Sequence, residues 1–131
     1  MSVPASFASR LWVYQAERFP LAKTVPLLAV FSAASINVSA ILAGRELPVI
    51  SSYLIGFGLV FILFFQMRVC DEIKDIEDDR AYRPERPIPR GLVSLRQIVM
   101  LGLATVPIGV ALALLRGHGL IWLLLLVLSL I

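Results

Sequence analysis

A single cysteine, Cys70, and a single histidine, His118, serve all 131 residues. One thiol excludes an internal disulfide framework. So thin a supply of thiol and imidazole also leaves softer metals without their usual ligands. Charge is scarce as well, at 16% of residues, while 59% are hydrophobic and the mean hydropathy is +0.87. A soluble domain is usually about 45–50% apolar, so this composition excludes an ordinary soluble protein and points to the membrane. Residues 1–20 lack the charged-then-apolar layout of a signal peptide. Neither an internal repeat nor a low-complexity segment is present. No acidic residue follows Glu85.

What the chain has in quantity is uncharged sequence. Between Lys23 and Arg45 lie 21 residues without Asp, Glu, Lys or Arg; between Glu46 and Arg68 another 21; between Arg96 and Arg116, 19. A membrane-crossing helix needs about 20 such residues, and the backbone in lipid must satisfy its own hydrogen bonds. The expectation is an all-α, polytopic transmembrane helix bundle with spans near 24–43, 48–68 and 96–115. A fourth apolar run, 119–131, stops after 13 residues. At 1.5 Å per residue it would cover roughly 20 Å of a core about 30 Å thick. It is read as an incomplete fourth span, and residues 1–131 as the N-terminal portion of one longer transmembrane domain. Residues 1–20 read as a short helix at the membrane interface, anchored by Trp12, Tyr14 and Phe19.

Ten of the twelve basic residues lie in the N-terminal segment or around the segment 70–93; Arg45 and Arg116 are the exceptions. This bias places the N-terminus and the 70–93 segment on the cytoplasmic side. The net charge of +3 is therefore a topology signal. Nucleic acid is not an expected partner, because the basic residues are tied to a membrane edge and mixed with acids.

The few charges are gathered. Seven of the nine acidic residues lie between Asp71 and Glu85. On a helix, Asp71, Glu72, Asp75, Asp78 and Asp79 fall within an arc of about 120°, while Ile73 and Ile76 point elsewhere. This phasing predicts that the helix of the second span continues through the acids. Like charges one turn apart repel, so a cation belongs there. The spacing suits a hard divalent ion such as Mg²⁺, which takes one or two carboxylates, waters and phosphate oxygens. The loop that follows, RAYRPERPIPRG, carries Arg80, Arg83, Arg86 and Arg90 on a frame stiffened by Pro84, Pro87 and Pro89. Guanidinium groups match phosphate oxygens bidentately. An acidic face followed by an arginine-rich loop is what a metal–diphosphate complex requires.

At these residues the sequence resembles the UbiA superfamily of membrane prenyltransferases. The family's N-x-x-x-D-x-x-x-D motif corresponds to Asp71, Asp75 and Asp79, with Asp71 in place of the usual Asn and Glu72 in place of a frequent Asp. Its R-P-x-P-x-G pattern corresponds to Arg86-Pro87-Ile88-Pro89-Arg90-Gly91. The resemblance implies a nine-helix bundle in the complete protein. It implies Mg²⁺-dependent transfer of a prenyl group from an isoprenyl diphosphate to a lipophilic, often aromatic, acceptor within the membrane. Asp71, Asp75 and Asp79 would be the catalytic residues, holding the metal together with Glu72; Lys74, Arg83, Arg86 and Arg90 would bind the diphosphate. The family's second Asp-rich motif has no counterpart before Ile131, so the chain is expected to be inactive alone.

Two other functions fit parts of the pattern. A non-enzymatic cation-binding or scaffolding membrane protein would need no second acidic cluster. A CDP-alcohol phosphotransferase also carries an Asp-rich helix end, but its D-G-x-x-A-R pattern lacks its glycine at Asp79-Arg80-Ala81-Tyr82. Among the remaining polar residues, Asn37 and Gln66 read as interhelical hydrogen-bonding groups and Cys70 as a small packing residue.

Overall fold

The computed structural model describes residues 6–115, which form four helices with no strand among them. The fourth apolar run, 119–131, lies outside the described residues. Helix α1 covers Phe7–Arg18, α2 Leu21–Leu42, α3 Ile50–Tyr82 and α4 Leu95–Leu114. The last three are each long and apolar enough to cross a membrane. They match the three expected spans, but α3 runs on to Tyr82. At 33 residues it is about 50 Å long, well beyond a hydrocarbon core of about 30 Å. The segment 70–93 is thus helical as far as Tyr82, as the phasing of its acids predicts, and turns begin at Arg83.

Local chemistry accounts for the helix ends. Ser6 caps α1 by accepting from the Ser9 amide at 3.1 Å. The Gln15 carbonyl oxygen accepts from the Leu21 amide at 3.0 Å, so a side chain of α1 caps the start of α2. At α4, Ser94 and Gln97 form a reciprocal capping box: the Gln97 amide donates to Ser94 Oγ at 3.1 Å and the Ser94 amide to Gln97 Oε1 at 3.0 Å.

Helix α3 is central and packs against both α2 and α4. Toward α2, Phe31 and Phe64 meet edge to face, and the Tyr53 hydroxyl donates to Asn37 Oδ1. Asn37 is therefore an interhelical hydrogen-bonding group, as read from the sequence. Toward α4, Ile62 and Ala113 anchor one apolar cluster. Gly102 lets the backbones approach: a Cβ there would stand 3.2 Å from both methyls of Val69.

The largest buried cluster lies at the charged end. Tyr14 of α1, Val69 of α3, Ile98 of α4 and the loop residues Ile88, Leu92 and Val93 pack together. The arginine-rich loop is therefore a packed part of the core. Its turns include hydrogen bonds from the Arg86 amide to the Arg83 carbonyl and from the Leu92 amide to the Pro87 carbonyl. The reading of α1 as an interfacial helix with three aromatic anchors is corrected in two places. Trp12 is 68% exposed, but Tyr14 and Phe19 are buried, and Phe19 packs edge to face on Phe61 and Phe65 of α3. One face of α1 is a docking face for the bundle.

Candidate active site at the charged end of α3

Because α3 does not break, its acids inherit the phase of the apolar span beneath them. The structure divides the four carboxylates named from the sequence into two kinds. Asp71 is exposed and Asp75 half-buried; Glu72 and Asp79 are buried. Asp71 stands 3.7 Å from Arg68, one turn back. No protein cation stands within ion-pair distance of Asp75 among the described residues.

Glu72 points into a polar knot between α1 and α3. Its Oε1 accepts from Arg18 Nε at 2.7 Å and from the Tyr14 hydroxyl at 3.3 Å, and Arg68 Nε lies 3.5 Å away, close enough to pair but without a hydrogen bond. Burial pushes the Tyr14 phenol well above its ordinary range, and the neighbouring Glu72 charge adds to the effect. Tyr14 stays protonated and serves as a donor.

Asp79 is held by the loop. Arg86 Nη1 donates to both of its carboxylate oxygens, at 2.6 and 2.7 Å, and Arg83 lies at 3.7 Å. The hydrogen bond to Asp79 strengthens the hold of Arg86 on its proton. Arg90 makes a two-nitrogen clasp on Glu17 of α1, at 2.7 and 2.8 Å, and donates to the Glu85 carbonyl at 2.7 Å. Lys74 is exposed and forms no ion pair among the described residues; the Arg83 side chain is 55% exposed.

The structure thus brings Asp79, Arg83 and Arg86 together and places Asp71 and Asp75 on the adjoining surface. It directs Glu72 and Arg90 to partners on α1. Among the described residues no three His, Cys, Asp or Glu side chains are grouped to hold a metal ion. The residues that sequence reading missed are on α1: Tyr14 and Glu17. The only signal for them was the alternation of acid and base at Glu17-Arg18. Beside the site, a cavity of about 450 Å³ opens between α1 and the apolar part of α3 and α4, walled by Trp12, Phe19, Phe61, Phe65 and Leu101.

Comparison with known proteins gives one partial similarity to set beside this geometry. Over 48 residues, 37% of this chain, the sequence is 42% identical to digeranylgeranylglyceryl phosphate synthase of Metallosphaera sedula. That stretch covers 17% of the length of the synthase. No family model matches the chain, and no solved structure matches it.

Proposed function

We propose that this chain belongs to a membrane prenyltransferase of the UbiA superfamily, which transfers a prenyl group from an isoprenyl diphosphate to a lipophilic or aromatic acceptor. The observation that carries the reading is the adjacency of two chemistries on one helix end. Asp71 and Asp75 lie one turn apart at the end of an apolar span, and one turn beyond Asp75 an arginine-bearing loop folds back onto Asp79 through Arg86. The partial similarity to a synthase whose name describes geranylgeranyl groups on a glyceryl phosphate supports the same class.

Mg²⁺ fits this donor set. It usually takes one or two carboxylates and completes its shell with waters and phosphate oxygens. Asp71 and Asp75 would hold it; Glu72 and Asp79 are already neutralised by arginine. The bound ion would offset the negative charge that builds on a departing diphosphate. Lys74 and Arg83, both exposed, would meet phosphate oxygens. Arg86 and Arg90 hold the loop in position through Asp79 and Glu17. The apolar cavity beside α1 would receive the prenyl chain, away from water. The N-terminus and the charged end would face the cytoplasm.

The test is calorimetric titration of Mg²⁺ into the reconstituted chain, with and without geranylgeranyl diphosphate. The diphosphate is expected to tighten Mg²⁺ binding roughly tenfold, a typical coupling between linked ligands. Metal binding indifferent to the diphosphate would replace this reading with that of a plain cation-binding membrane protein.

A further inference from the structure

A cleft of about 350 Å³ lies where the connection from α2 to α3 leaves the end of α2. The chain turns there at Gly44, whose φ is +64°, and the Arg45 amide closes the turn by donating to the Ala40 carbonyl at 2.9 Å. Ile36, half-buried, and Ala40, buried, give the cleft an apolar floor. Ser35 and Ser39 add two hydroxyls to its wall. The Ser35 hydroxyl is committed to the Phe31 carbonyl at 2.8 Å; the Ser39 hydroxyl makes no hydrogen bond among the described residues. Arg45 and Glu46 complete the lining. They are neighbours of opposite charge, yet they stand too far apart to pair with each other, and neither pairs with any other described residue. One cleft therefore presents one unpaired cation and one unpaired anion above an apolar floor.

Helices α2 and α3 are both of membrane-crossing length, so the short connection between them lies at a membrane edge, in the layer of lipid headgroups. A single group that answers both charges must itself carry both. The Arg45 guanidinium matches phosphate oxygens. The Glu46 carboxylate only accepts hydrogen bonds, so it suits an ammonium that keeps its N–H donors. An anionic head without an amine would face Glu46 uncompensated, and a quaternary amine has no proton to give. We infer that this cleft binds a zwitterionic phospholipid with a primary amine in its head, the phosphate at Arg45 and the ammonium at Glu46, with the base of its chains against Ile36 and Ala40. The site lies at the other end of α3 from Asp71 and Asp75 and does not depend on the transfer reading.

The test is native mass spectrometry of the chain in detergent, given equal amounts of dioleoyl phosphatidylethanolamine and dioleoyl phosphatidylcholine. The two lipids differ only in the methyl groups on nitrogen. The ethanolamine lipid is expected to be retained roughly fivefold over the choline lipid, the weight of about one net hydrogen bond. Glu46→Ala should abolish that preference, and Arg45→Ala should weaken retention of both lipids. Both residues are exposed, so neither variant is expected to disturb folding. Equal retention of the two lipids, or a preference that survives Glu46→Ala, would overturn the inference. So would stronger retention of phosphatidylglycerol, which marks a plain cationic patch. Retention of no lipid at all, the result expected if a further protein segment fills the cleft, would overturn it too. Free phosphoethanolamine competing as strongly as the lipid would do the same, because the apolar floor would then contribute nothing.

Discussion

Arg18 Nε and Glu72 Oε1 meet at 2.7 Å across the contact of α1 with α3, and both side chains are nearly dry, at 12% and 4% exposed. The preceding residue, Glu17, reaches to Arg90 in the loop. Two neighbours of opposite charge thus tie one short helix to two different elements at the charged end.

Breaking the buried tie from one side should be expensive. Arg18→Met leaves the Glu72 carboxylate uncompensated except for Arg68 at 3.5 Å. The expected loss is about 3 kcal/mol, near the low end for a broken buried pair. Unfolding in detergent micelles would measure it. Adding Glu72→Leu should recover much of that loss, since removing both charges removes the stranded one.

The carboxylates of α3 should separate by phenotype. Asp75→Ala is expected to leave stability within about 0.5 kcal/mol, as for a substitution away from packed features, and to abolish the Mg²⁺ response to geranylgeranyl diphosphate. Asp79→Asn removes the charge that Arg86 holds with two contacts and should cost about 2 kcal/mol or more. Limited proteolysis within residues 83–94 would register the second effect and not the first.

Acid should loosen the clasp between α1 and the loop. The hydrogen bond from Arg90, joined by the Arg90 and Arg18 charges, holds the Glu17 carboxyl below its ordinary 4.5. A folded value below the unfolded one favours folding of the ionised form, so the contribution is full above about pH 4.5 and fades as pH falls through the lowered folded value. Both side chains are over a third exposed or nearly so, at 40% and 35%, which limits the effect to about 1 kcal/mol or less. Glu17→Gln should flatten this part of the acid-unfolding curve and leave the neutral region little changed.

The loop also depends on Gly91, whose φ of +81° lies in the left-handed region. A Cβ there would meet nothing within 4 Å, so any cost of Gly91→Ala is backbone strain alone. The expected loss is about 1 kcal/mol, readable as a lower midpoint in thermal unfolding. Gly91→Asn should lose less, because Asn tolerates this conformation better.

Much of this architecture could be read from the chain. Spacing between charges located the three long helices, and the period of Asp71, Glu72, Asp75, Asp78 and Asp79 foretold that α3 continues to the loop. Composition could not tell which acids would be taken up by arginine. That depends on how α1 docks, and α1 docks through Tyr14 and Phe19, aromatic residues whose pattern suits a membrane interface equally well. Nor did the prolines of the loop reveal that Ile88, Leu92 and Val93 would be core residues. Three apolar positions among prolines and arginines carry no periodicity, and their burial arises only when α1, α3 and α4 converge.

The unbroken course of α3 makes it a ruler as well as a wall. Phe61 and Phe65, which line the apolar cavity, and Asp71 and Asp75 above them share one helix with no hinge between. Their angular register is set by residue count alone. Inserting one residue between Phe65 and Arg68 would turn the acidic face about 100° relative to the aromatic one, while every side chain and its chemistry stayed the same. An insertion of seven residues in its place, two turns, would nearly restore the angle and shift the depth by about 10 Å instead. Direction and depth are thus set together, at about 100° and 1.5 Å per residue, by one count.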